Sequence, residues 1–412
     1  MQTQLAPEFQ NTAEGAQAEA ILARCVHCGF CTATCPTYQL LGDELDGPRG
    51  RIYLIKQVLE GVAPTRSTQL HLDRCLTCRN CETTCPSGVQ YGQLLEIGRG
   101  IVEAKVERPT KERAVRWLLK EGLTSPAFAP AMKLGQLVRP LLPAALQDKV
   151  PAKSPAQAHN WPTRQHPRKV GLLMGCVQPA MLPNINSATA RVLDAAGIQT
   201  LVADGAGCCG AIRSHLNDHE GGLNDMRRNI DAWWPLVEGL TAAGKIEALV
   251  MNASGCGVTV KDYGRALAHD PAYADKAAKV SALTRDLSEL LPSLVAALKP
   301  RVSAGSKLAY HPPCTLQHGQ QLRGDVESGL GALGFDVQRA PCDSHLCCGS
   351  AGTYSVTQPV LSKQLRDQKL KALEPIRAEV IVSANIGCIQ HLQSGTATPV
   401  RHWVEVLDDA LS

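Results

Sequence analysis

Aromatic side chains make up only 4% of these 412 residues, and charge is nearly balanced, with 42 Lys and Arg against 38 Asp and Glu. A net charge of +4 dispersed along the chain excludes the electrostatic footprint of a nucleic-acid or anionic-membrane binder. Long hydrophobic runs are missing too. The longest uncharged stretch, Val170 to Ala190, is broken by Gly, Pro, Gln and Asn, so no membrane-spanning helix is expected. The N-terminus, MQTQLAPEFQNTAEG, has neither a basic n-region nor an apolar core. No secretory signal is therefore expected, and a cytoplasmic location follows. No Ser/His/Asp or paired-carboxylate constellation can be placed in one site, which removes the common hydrolytic chemistries. Content that is 44% hydrophobic and 19% charged is that of a globular chain, and the length implies two or three domains.

Cysteine, in contrast, is abundant at 17 residues. Eight of these form two matching runs, Cys25, Cys28, Cys31, Cys35 and Cys75, Cys78, Cys81, Cys85, each spaced C-x2-C-x2-C-x3-C-P. Residues three apart in a turning loop can aim their thiolates at neighbouring irons of a 4Fe–4S cube, with the intervening amides facing the sulfides. Pro36 and Pro86 fix φ and turn the chain away after the fourth cysteine. In two-cluster proteins of this spacing that fourth cysteine serves the other cube. One cluster is therefore assigned to Cys25, Cys28, Cys31 and Cys85, the other to Cys35, Cys75, Cys78 and Cys81. Zinc sites usually pair two C-x2-C units, and disulfides need an oxidising compartment, so neither explains these runs as well. Arg24, Arg49, Arg51, Arg74 and Arg79 lie in or near the runs, either as ordinary surface cations or as charges that offset a negative cluster and tune its potential.

Ile52, Ile55, Val58 and Leu59 fall at helical spacing between the runs, predicting a helix over 49–60, and Leu94, Leu95, Ile97, Ile101 and Val102 predict another over 89–105. Residues 1–138 are thus expected to form an α-helical ferredoxin domain. The stretch 139–169 is rich in Pro, Ala, Lys and Gln and reads as a solvated linker.

Beyond it lies an internal repeat. The first copy, 170–290, has KVGLLMGC ending at Cys176, GCCG with Cys208 and Cys209, and ALVMNASGC ending at Cys256; the second, 291–412, has KLAYHPPC ending at Cys314, LCCG with Cys347 and Cys348, and EVIVSANIGC ending at Cys388. Short buried strands alternating with helices imply parallel α/β units with cysteines at the carboxyl ends of strands. Gly205, Gly207 and Gly210 spell G-x-G-x-x-G, but the second copy lacks the first two glycines, so the shared feature is the CCG and a dinucleotide site is rejected. The fold class is therefore α+β multidomain. Trp233 and Trp234, on an amphipathic stretch, suit core packing or a subunit contact.

These residues resemble the cysteine-rich CCG family seen in heterodisulfide reductases. The fused layout, with RCVHCGFCTATCPTYQLLGDELDGPRGRIYLIKQVLEG, LDRCLTCRNCETTCPSG, NIDAWWPLVE and DSHLCCGSAGTYSVTQP, is similar to the iron–sulfur subunits of bacterial glycolate oxidase, anaerobic glycerol-3-phosphate dehydrogenase and lactate utilisation. The resemblance implies a non-catalytic electron-transfer subunit of a flavin-dependent 2-hydroxyacid (glycolate) dehydrogenase. It would pass electrons from FAD-containing partner subunits towards a quinone or other membrane acceptor, as a peripheral protein held through those partners. The alternatives are the equivalent subunit of a glycerol-3-phosphate or lactate dehydrogenase, a stand-alone CCG-type thiol/disulfide redox enzyme, and a zinc-stabilised docking module. The heterodisulfide reductase pattern has five cysteines per copy, and here Thr259 and His391 stand at the fifth position. Each copy is left with four thiols, enough for a further iron–sulfur cluster or a zinc ion. His391 or Cys342 could complete the second set, and His311 and His345 lie beside it.

Overall fold

The computed structural model describes residues 1–141, 150, 161–303 and 305–411, so most of the linker expected at 139–169 lies outside the described residues. Contacts divide the chain into two compact units. One comprises Met1–Arg116 and His345–Lys369, the other Trp117–Ser344 and Leu370–Ser412.

The first unit is helical. Its principal helices run Ala13–Ala23, Pro48–Leu59, Arg66–Asp73 and Tyr91–Lys105, the second and fourth within two residues of the spans expected from periodicity. Ile52, Ile55, Val58 and Leu59 are buried against Leu94, Leu95, Ile101 and Val102 in one core that also takes Leu22 and Leu72. Helix–helix approach is close enough that a Cβ on Gly98 would stand 2.6 Å from Ile55 Cγ1. Pro48 occupies the first turn of its helix, where a missing N–H costs nothing. Thr65 and Thr68 close a reciprocal capping box at the start of the Arg66–Asp73 helix.

The second unit contains two four-stranded parallel sheets. Strands β1 (Arg168–Leu172), β2 (Ile198–Leu201), β3 (Ala248–Met251) and β4 (Thr284–Asp286) take the order β2-β1-β3-β4; β5 (Lys307–Tyr310), β6 (Asp336–Arg339), β7 (Val380–Ser383) and β8 (Val400–His402) take β6-β5-β7-β8. The identical order is the duplication seen at the level of topology. Central strands are apolar throughout: Leu249 and Val250 of β3 and Leu308 of β5 are fully buried, as expected of parallel sheets covered on both faces. In both sheets the order reverses between the first and third strands, which opens a crevice at their carboxyl ends. The long His219–Glu238 helix is capped by the Asp218 side chain and ends at Gly239, whose φ of 76° only glycine adopts cheaply. It buries Trp233 completely, stacked on Tyr263 with centroids 6.5 Å apart. Trp234 instead lies under the ammonium groups of Lys276 and Lys279, at 5.5 and 5.3 Å.

The two sheets are joined by polar contacts from the ends of their third strands. The Ser254 amide donates to the Ala384 carbonyl at 3.0 Å. Gln320 Nε2 donates to the Ser254 carbonyl and to Asp286 Oδ2, both at 3.1 Å. Asp286 and His402 end equivalent strands, and each caps the following helix in a capping box with a glutamate, Glu289 or Glu405. The Val404 amide donates to His402 Nδ1 at 3.1 Å, so the ring's proton sits on Nε2 and is donated to the Asn252 carbonyl at 2.8 Å.

Burial pushes the His402 imidazole down to about 3 from its ordinary 6.5, against an opposing pull from the Asn252 carbonyl. The folded state therefore holds a neutral ring while the unfolded chain takes a proton below about 6.5, so stability is lost as pH falls through that window. At pH 5 the loss from this group should be about 2 kcal/mol. Urea melts at pH 7 and pH 5 should show it in the wild type and not in His402→Asn, which keeps a capping side chain without a titrating ring.

Candidate metal centres

The two cysteine runs of the helical unit adopt the same backbone. His27 and Thr77, each two residues after the first cysteine, have φ of 54° and 51°, and Gly29 and Arg79, each one after the second cysteine, have φ of 85° and 58°. Alternating left-handed residues turn successive amides to one side, the concavity that accepts anions and sulfide. The Cys78–Asn80 turn carries this strain without glycine, which costs of order 1 kcal/mol at Arg79 and marks a loop held by its surroundings.

Thiol neighbours cross between the runs. Cys31 lies beside Cys25, Cys28 and Cys85, and burial, then those thiols, raise its pKa to about 11. Cys81 lies beside Cys78, Cys75 and Cys35 and is raised well above its ordinary value, first by burial and then by them. Packing thiols together without a counter-charge disfavours the Cys31 and Cys81 thiolates, a penalty that a bound cation removes. Cys25, Cys28, Cys31 and Cys85 also line one open pocket, walled by Pro48, Ile52 and Pro86. The inward amides and the all-sulfur donor set fit an iron–sulfur cube.

A buried ionic network adjoins the second of these sets. The fully buried Arg51 guanidinium donates to the His71 carbonyl (2.7 Å), Thr37 Oγ1 (3.2 Å) and Asp46 Oδ1 (3.4 Å). Asp46, equally buried, also receives Arg74 Nη1 at 2.8 Å and lies 3.1 Å from His71 Nδ1. Thr37 Oγ1 donates to the Asp46 carbonyl at 2.8 Å and sits 3.3 Å from Cys35 Sγ. Burial opposes the Arg51 charge, but Cys75, Tyr91, Cys35 and Asp46 outweigh it and hold the guanidinium protonated. Arg24 is exposed, and Arg49 and Arg79 pair with Glu44 and Glu82 at 2.6 and 2.8 Å. Asp46, Thr37 and Tyr91 carry no motif, and only the structure identifies them.

Cys347 and Cys348 belong to this helical unit, within His345–Lys369. Asn80 Nδ2 donates to the His345 carbonyl at 3.4 Å, and Tyr354 OH donates to the Arg74 carbonyl at 3.1 Å. Burial raises the Tyr354 pKa, with Arg51 opposing and Cys75 and Cys347 adding to it, which places all three around the phenol.

In the sheet unit the first-copy cysteines converge at the crevice between β1 and β3. Cys176 follows β1, Cys208 and Cys209 follow β2, and Cys256 lies in the first turn of the Ser254–Lys261 helix after β3. The Cys176 thiol lies beside Cys208, Cys208 beside Cys209 and Cys209 beside Cys256. Asn229 fixes the double cysteine: its Oδ1 accepts from the Gly207 amide at 2.8 Å, and its Nδ2 donates to the Cys208 carbonyl at 2.7 Å and to Tyr263 OH at 3.1 Å. Tyr263 OH donates in turn to the Cys209 carbonyl at 2.9 Å. The glycine of CCG is explained in both copies. Gly210 and Gly349 have φ of 93° and 88°, and a Cβ would stand 2.8 Å from the Gly222 carbonyl or 2.5 Å from that of Ser362. Thr259 Oγ1 is turned back onto the Gly255 carbonyl at 3.0 Å. In the second copy, Cys314 and His311 follow β5 and are buried, Cys388 is buried in the first turn of the Ile386–Gln393 helix that also carries His391, and Cys342 is exposed.

Paired cysteine loops on a helical scaffold, followed by duplicated α/β sheets with thiols at their switch points, define an iron–sulfur protein of ferredoxin type fused to a cysteine-rich module. A 4Fe-4S dicluster domain matches residues 21–89, and a cysteine-rich domain matches 170–261 and 308–393. The chain is 56% identical over its full length to the glycolate oxidase iron-sulfur subunit of Escherichia coli K12, covering 99% of that protein. It is 30% identical to the probable glycolate oxidase iron-sulfur subunit of Bacillus subtilis 168, over 94% of this chain and 92% of the relative. Lactate utilization protein A of Geobacillus thermodenitrificans is 25% identical over 58% of this chain. The chain belongs to the glycolate oxidase iron–sulfur subunit family.

Proposed function

We propose that this chain is the iron–sulfur electron-transfer subunit of a flavin-dependent glycolate dehydrogenase, non-catalytic in itself. It takes electrons from an FAD-containing partner and passes them towards a quinone or other membrane acceptor. The observation that carries this reading is the crossed arrangement, in which each four-thiol set is three neighbours from one run and the last cysteine of the other. Cys25, Cys28, Cys31 and Cys85 would hold one 4Fe–4S cluster and Cys35, Cys75, Cys78 and Cys81 a second. The cubes supply one-electron storage at nearly fixed geometry, and the chain supplies thiolates, inward amides and charge.

Residues 1–138 act as the ferredoxin part, 139–169 as the linker, and 170–290 and 291–412 as the two cysteine-rich copies. Cys176, Cys208, Cys209 and Cys256 form a candidate site for a further cluster or zinc. No helix among the described residues is long and apolar enough to cross a membrane. Membrane contact would come through partners, with the chain on the cytoplasmic side.

Glycolate added to the anaerobically purified complex should bleach the iron–sulfur absorbance, and the isolated chain should not respond. No bleaching in a flavin-loaded complex would reject glycolate and direct the test to lactate or glycerol 3-phosphate. Disulfide reduction by the isolated chain would replace the relay with the independent redox enzyme.

A further inference from the structure

Resting on the reading that the two crossed sets each hold a cube, we propose that Arg51 and its partners fix the order of the relay. The set of Cys35, Cys75, Cys78 and Cys81 has the higher potential, so an electron entering at Cys25, Cys28, Cys31 and Cys85 moves on to it and rests there.

The argument is one of unequal charge. Around the second set, Arg51 and Arg74 share a single carboxylate, Asp46, which leaves one positive charge unbalanced. Arg51 and Asp46 are both fully buried, so solvent screens neither. Arg99 adds a further guanidinium, whose Nη2 donates to the carbonyls of Leu72 and Cys75 at 2.7 and 2.8 Å. Of the acids nearby, Glu82 pairs with Arg79 at 2.8 Å and Asp73 with Arg108 at 2.6 Å, while Asp43, within 4.8 Å of Asp46 and His71, is exposed and its charge is screened by solvent. Around the first set, Arg49 beside Cys31 is paired one-to-one with Glu44 at 2.6 Å, both more than a third exposed, and the Met1 ammonium donates to the Cys25 carbonyl at 3.0 Å without a buried counterpart of Arg51. Arg24 is exposed outright. Each reduction adds one negative charge to a cube, and an uncompensated buried cation stabilises that charge far more than a neutralised surface pair does.

Exposure places the point of entry at the first set, while burial of the second set opposes its reduction and has to be outweighed by Arg51. Cys28 is exposed between Val26 and Phe30, whose side chains are 69% and 61% exposed, whereas Cys35 and Cys81 are buried. An apolar, solvent-facing loop at the first set is where a reduced flavoprotein can dock and deliver. In the step itself one electron leaves the first centre, oxidising it, and reduces the second. No bond is made or broken and no proton moves, and the reduced flavin of the partner is the donor.

The test is a potentiometric titration of the full-length chain, purified anaerobically and read by EPR, with the first-set signal assigned as the one lost in Cys28→Ala. In the wild type the second-set signal should develop at the higher potential. Arg51→Met should shift the electron distribution between the centres towards the first by at least tenfold, which is 59 mV for one electron. Asp46→Asn should shift it in the opposite direction, and Arg51→Lys should largely restore the wild-type order. Should Arg51→Met fail to retain its centre, Arg99→Met carries the same expected sign on a half-buried residue. A first set titrating above the second, or Met and Asn variants shifting the same way, would overturn the proposal. A wild-type chain with fewer than two reducible cubes would instead remove the two-cluster reading beneath it.

Discussion

Cys85→Ala should abolish the centre whose other ligands are Cys25, Cys28 and Cys31 and leave the one built on Cys75, Cys78 and Cys81; Cys35→Ala should do the reverse. Alanine offers no oxygen to stand in for sulfur, so each variant should lose about half of the ferredoxin-part iron and one of two reducible EPR signals. Cys31 has Cys85 beside it, and Cys81 has Cys35, so the fourth thiol of each set comes from the other run. Double variants identify the damaged centre. Cys28→Ala should add nothing to the loss in Cys85→Ala but should remove the second signal from Cys35→Ala. The opposite pattern of additivity would show that each run closes on itself and would end the crossed assignment.

The largest stability effect is expected at Trp233. Its side chain is fully buried among Ile230, Val237, Val260 and Tyr263. Truncation to alanine removes the transfer energy of an indole and leaves a void the surrounding helices cannot close, about 3–5 kcal/mol. For a unit of this size that corresponds to a fall of roughly 10 °C in the midpoint of thermal unfolding. The loss should reach the thiols, because Tyr263 stacks on Trp233 and its hydroxyl holds the Cys209 carbonyl at 2.9 Å. A metal bound by the first-copy cysteines, as proposed above, would therefore be retained less well in Trp233→Ala and be preserved in Trp233→Phe. Equal melting of wild type and Trp233→Ala would contradict the packing described for this helix.

Much of this was legible in the sequence because it depends on local spacing. Apolar runs marked the central strands, and helical periodicity marked 49–60 and 89–105, observed as Pro48–Leu59 and Tyr91–Lys105. The helices Thr110–Thr124 and Phe128–Val138 escaped notice although Val115, Leu119 and Leu123 share one helical face, and none of their residues is buried. The Asp46 network escaped for a different reason. Its partners lie 5, 25 and 28 residues away, and an ion pair buried between helices leaves no periodic trace. Arg51 was visible only as one of several arginines near cysteine, and burial alone separates it from Arg24. Asn229 and Tyr263 likewise read as ordinary helix residues until their bonds to the double cysteine are seen.

Asp286 and His402 occupy the same place in the two halves, yet one is an acid held by Gln320 and the other a neutral imidazole on the Asn252 carbonyl. Had the halves been separate identical chains meeting about a dyad, any residue at this junction would have had to suit both sides at once. Joining them in one polypeptide lifts that symmetry requirement. Each half became free to drift, and the same licence extends to the cysteine sets, where one copy has Thr259 and the other His391 at matching positions. Tandem fusion thus turns a self-complementary pair into two specialised halves, so a ligand bound by one copy is no guide to what its twin accepts.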